Sequence, residues 1–334
     1  MLPLHPRTNN QQPTTKSAIA MFRKRKLLCK RQFLTFIITV ATLATFVLMP
    51  QSVLSQQWRP VRGGIPFGIS GMTLLEQQSN FRSFLVVHDN KDKSLGRLAI
   101  ITIKSEQSPK YFPINWSSDT PLPIDLESLT AVPGTSEPTF MTATSAGKVY
   151  HFRLSASQQN ISILKVFDFP NIPKESNFEG FALQKINGQL LAVWAHRGQD
   201  RDPAVLYWGK LDLNTYQITQ IGSTQLKVPW PVSAVRHVSD VKVDPAGVLF
   251  ISSAADNGDD GPFESAVYVA GAFGISQQQI TFQQNFQLVP LYRFNYHKVE
   301  AIELVPGQTG GVIFGSDDEN MGGSVYLKVL SAEF

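Results

Sequence analysis

One short motif recurs five times along the chain, and that recurrence limits the fold more than any other feature. It reads apolar, Ser or Glu, any residue, apolar. Its copies are Ile69-Ser70-Gly71-Met72, Leu126-Glu127-Ser128-Leu129, Phe178-Glu179-Gly180-Phe181, Val238-Ser239-Asp240-Val241 and Val299-Glu300-Ala301-Ile302. The Ser/Glu positions are spaced by 57, 52, 60 and 61 residues. After each motif comes a second β-branched or aromatic run, such as Phe84–His88 or Leu190–Trp194, then a polar loop and a third run. A fourth run is visible in the first four units, as in Ser162–Phe167. Short runs of this composition, bounded by Gly, Pro, Asn or Asp, read as strands. Four strands repeating about every 55 residues describe the blade of a β-propeller.

The expected fold is therefore all-β, a propeller of five blades with four antiparallel strands each. A sixth blade would have to lie within one long connection, and a β-sandwich would need the spacing to be fortuitous. The last unit lacks an outer strand. The segment Trp58-Arg-Pro-Val61 is expected to supply it and close the ring, because an open array would leave an edge strand free to pair with other chains.

Charge divides the chain. Residues 1–55 carry eight Lys/Arg and no Asp or Glu, which leaves 22 basic against 26 acidic residues in 56–334, a formal charge of −4 there against +4 overall. The basic character belongs to the leader and gives no reason to expect a nucleic-acid partner. The leader has a basic stretch, Phe22–Arg31, an apolar run, Phe33–Met49, and compact residues at Val53 and Ser55. This is the order of a signal peptide cleaved before Gln56, with Met21 as a second candidate start. An uncleaved anchor is the alternative, although 17 apolar residues are short for a bilayer. Lys30-Arg31 is a weak match to a twin-arginine signal. The expectation is an exported monomer, periplasmic, lumenal or extracellular, whose mature part, residues 56–334, is a single domain that does not span a membrane. The sole cysteine is Cys29, so the mature part has no disulfide, thiol catalysis or Cys-ligated zinc. Asn115-Trp-Ser117 and Asn160-Ile-Ser162 match the glycosylation pattern.

In a propeller the first strand of each blade is innermost, so Ser70, Glu127, Glu179, Ser239 and Glu300 are expected to ring the axis. Two carboxylates about 5 Å apart at an effective dielectric of about 20 repel by about 3 kcal/mol. Protons or a cation must relieve that. Three carboxylates and two hydroxyls form an oxygen-only donor set, which suits Ca²⁺ better than a softer or more demanding metal. The other reading is a water-filled tunnel in which backbone N–H groups hold the Glu side chains.

The ring order Ser-Glu-Glu-Ser-Glu resembles that of the calcium-activated nucleotidase (apyrase) family. Tyr296–Leu304 and Phe81–Asp89 resemble its last-blade and first-blade motifs. Asn177-Phe-Glu-Gly-Phe181 resembles the repeats of phytase-like esterase propellers. The resemblance implies a five-bladed propeller with calcium on its axis and hydrolysis of a small phosphorylated substrate, a phosphoester or phosphoanhydride. Loops after the second strands carry His88-Asp-Asn-Lys-Asp92, His196–Asp202, Asp256–Asp260 and Ser316–Asn320, and a propeller gathers such loops on one face. Asp89 is the candidate to orient water. Arg197 and Arg293 are candidates to neutralise anionic charge. Arg236-His237 and His297-Lys298 are further candidates for the tunnel mouth. The competing reading is a non-catalytic scaffold for an unknown ligand or protein.

Overall fold

The computed structural model describes residues 57–104, 107–277, 279–307 and 310–329. The leader and its cleavage position lie outside the described residues. The chain divides between Gln56 and Gln57, and the fold is that of the second unit.

Strand β1 (Arg59–Arg62) is followed by five blades. Blade 1 is β2 (Gly71–Gln77), β3 (Phe81–Val87), β4 (Leu98–Lys104) and β5 (Lys110–Ile114). Blade 2 is β6 (Leu126–Ala131), β7 (Phe140–Thr144), β8 (Lys148–Leu154) and β9 (Ile161–Asp168). Blade 3 is β10 (Phe178–Ile186), β11 (Gln189–His196), β12 (Ala204–Asp212) and β13 (Gln217–Leu226). Blade 4 is β14 (Val235–Val243), β15 (Val248–Ala255), β16 (Glu264–Ser276) and β17 (Gln279–Gln284), with β18 (Pro290–Asn295) added. Blade 5 is β19 (Val299–Val305), β20 (Gly311–Asp317) and β21 (Gly323–Val329). Each blade is an antiparallel sheet in chain order, and β1 pairs with β21 through Arg59 opposite Val325. The five-bladed count and the closure by the N-terminal strand are both as expected from the repeats.

The middle strands are covered on both faces by neighbouring blades, and so they read as continuous apolar runs. In β4 the residues Leu98, Ala99, Ile100 and Ile101 are all buried. Odd and even positions serve different neighbours: Ala99, Ile101 and Ile103 pack with Ile313 and Val325 of blade 5, whereas Leu98 and Ile100 pack with Leu126 and Phe152 of blade 2. Outer strands have one free face and alternate, as β13 does between half-buried and exposed positions.

Blade 4 departs from the pattern. Strand β16 is long enough to take two outer partners, β18 along Glu264–Tyr268 and β17 along Gly271–Ser276. Arg293, expected at the mouth, lies on β18, with its guanidinium 5.3 Å from the Trp230 ring centroid.

The inner strands approach closely around the axis. A Cβ on Gly71 would lie 2.7 Å from Leu129 N, and one on Gly180 would lie 2.8 Å from the Val241 side chain. This is why a glycine follows the ring residue in two of the motifs. The tunnel is crossed by a side chain. Lys242 Nζ, from blade 4, donates to the Met72 carbonyl of blade 1 (3.0 Å) and the Leu129 carbonyl of blade 2 (3.3 Å). It also pairs with Glu303 of blade 5 at 3.0 Å.

Candidate functional site

The inner strands are irregular where the motif predicts the ring. The ladder slips between Leu126 and Ser128, between Phe178 and Gly180, and between Val299 and Ala301. Glu127, Glu179 and Glu300 are thus each the extra residue of a β-bulge, a device that re-aims a side chain. In blade 4 a longer irregularity, Arg236 to Asp240, contains Ser239. In blade 1, Ser70 stands just before β2.

The three glutamates line a cup of about 400 Å³ at the tunnel mouth. Every blade contributes to its wall: Asp89, Asn90 and Lys91 from blade 1, Asp125 and Glu127 from blade 2, Asn177, Glu179 and Arg197 from blade 3, Arg236 and Asp259 from blade 4, and Lys298, Glu300 and Glu319 from blade 5. Only Ile65 and Leu95 are apolar among the lining residues. Ser70, Ser239 and Arg293 do not line it; the Ser70 and Ser239 hydroxyls are buried with no hydrogen-bond partner.

The cup has two halves of different electrostatic character. In one half, carboxylates are matched by cations. Arg236 donates from Nη1 to Glu300 Oε1 at 2.9 Å and pairs through Nη2 with Asp256 at 2.7 Å. The same Nη1 lies 3.9 Å from Glu179 Oε1, which Arg197 also approaches at 3.4 Å. Lys298 pairs with Glu300 at 3.3 Å and Asp317 at 3.6 Å, and with Glu319. Burial opposes the charged forms of Arg236 and Lys298, but these carboxylates outweigh it and hold both above their ordinary pKa. Glu179 is pushed up to about 7 by burial, with Arg236 pulling the other way.

In the other half, Asp89, Asp125 and Glu127 each offer an oxygen, and these oxygens lie within 4.8 Å of one another. Lys91 pairs with Asp125 at 3.1 Å, and Ser145 donates to it. Neither Asp89 nor Glu127 has a Lys or Arg within ion-pair distance among the described residues. Glu127 is only 8% exposed. Burial, then the charges of Glu179 and Asp89, push its carboxyl well above the usual range. Asp89 is pushed up to about 6 by burial and by Glu300. Asn177 Oδ1, on the same wall, is buried without a donor. Three converging carboxylates, of which only Asp125 has a cation in ion-pair contact among the described residues, fit a hard divalent cation.

The structure thus divides the expected ring of five. Glu127 joins Asp89 in the acidic half, whereas Glu179 and Glu300 are engaged by Arg236 from blade 4. Arg197 lines the cup. Lys298 and Arg236 do so too, while His237 turns away, with its Nδ1 against Val228 N and its Nε2 against the Asp200 carbonyl. Asp125 was missed. It stands two residues before Glu127, and the matching positions are Gly68, Asn177, His237 and Lys298, so the repeat offers no shared residue type to mark it.

The fold and its mouth define a five-bladed propeller with a charged axial cup. No family model matches the chain, and no curated protein matches it. Solved structures similar to it include a GH43 endo-arabinanase from Bacillus licheniformis, at 11% identity and TM-score 0.47, covering 81% of this chain and 96% of that one. An exo-1,5-α-L-arabinanase from a bovine ruminal metagenomic library aligns at 7% identity and TM-score 0.49, covering 80% and 94%. An α-L-arabinanase from Penicillium chrysogenum aligns at 10% identity and TM-score 0.45, covering 82% and 98%. At such identities the likeness concerns the fold alone. The arabinanase-type propellers named here also correct an expectation: the resemblance to nucleotidase and phytase-like propellers, and the phosphohydrolase activity it implied, are withdrawn. Part of the motif is set by packing alone, since a Cβ at Gly71 or Gly180 would meet the neighbouring inner strand, so it does not mark a family.

Proposed function

We propose that the cup binds a divalent cation, Ca²⁺ by its donor set, and that the protein is a hydrolase acting there on a small, highly polar molecule. The convergence of Asp89, Asp125 and Glu127, with no Lys or Arg of the described residues within ion-pair distance of Asp89 or Glu127, carries this reading. These three residues would hold the ion, and Asn177 Oδ1 stands on the same wall. When bound, the ion would supply charge neutralisation and polarise an oxygen of the ligand. The protein's own groups have separable tasks. Arg197 is held only at 3.4 Å by Glu179 and 3.3 Å by Gln199, so its guanidinium is free to turn toward a polar substrate. The ion-paired half keeps Glu179 and Glu300 fixed, which preserves the shape of the wall. Export by the leader belongs to the same reading, since an extracellular site needs a calcium Kd of only about 10⁻⁴–10⁻³ M.

Calorimetric titration of the chelator-stripped protein tests the first part. Saturable calcium binding is expected, and Asp125→Asn should weaken it at least about tenfold, the loss of one charged ligand. Unchanged affinity in Asp125→Asn would place the ion elsewhere. Turnover is tested on chromogenic glycosides, arabino-oligosaccharides, carboxylic esters and amides, with calcium or chelator. Calcium binding with no turnover of any of them would leave the scaffold reading in place of the hydrolase.

A further inference from the structure

A second cavity lies away from the cup. Strand β2 leaves the mouth at Ser70 and reaches its turn, Gln78–Asn80, at the far end of blade 1. There a cleft of about 680 Å³ opens between that turn, the end of β4, the closing strand β1 and Leu327 of β21. It follows the seam between blades 1 and 5. We propose that this cleft is an oxyanion-binding site in which Arg59 and Arg82 grip a phosphate or sulfate group.

Three observations converge on this. The first is direction. Arg82 shares a face of β3 with Phe84 and Val86, which pack in the same core cluster as Ile313 and Val325 of blade 5. Its side chain therefore enters the seam. Arg82 stands opposite Ile103, and the next residue, Lys104, accepts a hydrogen bond through its carbonyl from Arg59 Nη1 at 2.9 Å. Two guanidinium groups from the two sides of the seam are thus brought to the end of one strand.

The second is a missing partner. Arg82 Nε is shielded from solvent and has no acceptor among the described residues. A buried donor left unpaired costs about 1–3 kcal/mol, so this guanidinium is suited to an incoming acceptor. The third is charge. No Asp or Glu is among the described residues lining the cleft. Burial holds the Arg59 guanidinium below its ordinary pKa, and no carboxylate of the described residues counters the effect. Two like charges facing one cavity repel, and an oxyanion bound between two guanidinium forks reverses the sign of that interaction. The cavity has room for more than the anion, so the oxyanion would be one end of a larger molecule, a soluble ester or a lipid headgroup.

Full-length protein in chelator is melted with sodium sulfate and with sodium chloride at matched ionic strength. Sulfate should raise Tm saturably and chloride should not. Arg82→Gln should shift half-saturation upward at least about tenfold, as expected for loss of a charge-assisted contact. Its calcium response at the cup should stay normal, which certifies its fold. Asp125→Asn should leave the sulfate response unchanged. An Arg82→Gln protein with parental sulfate response, or an equal effect of chloride, overturns the site. Sedimentation with phosphatidylcholine vesicles, with or without phosphatidic acid, separates the sources. Arg82-dependent binding to the acidic vesicles assigns the group to a lipid headgroup. Sulfate binding without vesicle binding assigns it to a soluble anion.

Discussion

Arg236 reaches from the innermost strand of blade 4 to carboxylates of blades 3, 4 and 5. It is 14% exposed, and Glu179 and Glu300 are 2% and 3% exposed. Three buried charges at this spacing tolerate the loss of one partner poorly. Removing one member of a buried pair costs about 3–5 kcal/mol, because the remaining charge is left uncompensated. Arg236→Met should therefore lower stability by about that amount at pH 8, as read from chemical denaturation. Glu300→Gln in the same background should recover part of the loss. An Arg236→Met protein as stable as the parent would mean that these carboxylates are already protonated. The sequence placed Arg236 near the mouth but gave no hint of its partners. Its position, three before the ring residue, is Phe67, Ile124, Ser176 and His297 in the other blades, so no periodicity exposes it.

Elements show a different balance between sequence and structure. Twenty of the strands fall into blade positions that the repeat marks, because each middle strand must be apolar on both faces and each inner strand must carry the motif. Strand β18 was unreadable. Pro290-Leu-Tyr-Arg-Phe-Asn295 has the composition of a strand but no place in a four-stranded unit, and its pairing depends on the unusual length of β16. The bulges were also hidden, since the ladder partner of a residue is not written in its own strand. What the motif did carry was the small residue beside the ring position, and this can be tested. Gly180→Ala would place a methyl 2.8 Å from Val241, between two inner strands that cannot separate without opening the ring. Overpacking of this kind costs about 1–3 kcal/mol. Thermal denaturation should show a Tm lower by several degrees. A neutral Gly180→Ala would show that the axis has more slack than its contacts suggest.

At the scale of the whole molecule, the buried carboxylates set how stability varies with pH. Asp240 is pushed up to about 7 by burial, with Lys242 and two backbone N–H groups pulling it down; Glu179 likewise stands near 7 and Asp89 near 6. Each binds a proton in the folded state at pH values where the unfolded chain, with carboxyl groups near 4, has released it. Between about pH 4 and 7 the folded state therefore holds more protons, and stability falls as pH rises through that window. Asp256 acts in the opposite sense: burial pushes its pKa up, but Arg236 more than offsets this and holds it below its usual value. Glu127 and Asp317 add to the first group, since burial raises both, whereas His88, His151, His196 and His237, whose pKa burial lowers, add stability as pH rises to about 6.5. With five raised carboxyls, two of them near 7, against these, the calcium-free protein should melt at a lower temperature at pH 7.5 than at pH 5. Calcium should recover the difference at pH 7.5 and do little at pH 5, where protons compete for Asp89 and Glu127. Scanning calorimetry in chelator and in calcium checks both statements. A Tm that rises from pH 5 to 7.5 without calcium would contradict them.

The pairing of β1 with β21 has a consequence in time as well as in space. Arg59 is made early in synthesis and Val325 near its end, so the first strand must wait for almost the whole domain before it finds its partner. Until then both edges of the growing array are bare, and each completed blade can protect only its neighbour. A chain stopped before Gly323 would keep both edges indefinitely. Ring closure therefore acts as a check on completeness, because only a chain translated to its last strand buries the edges that would otherwise recruit other molecules.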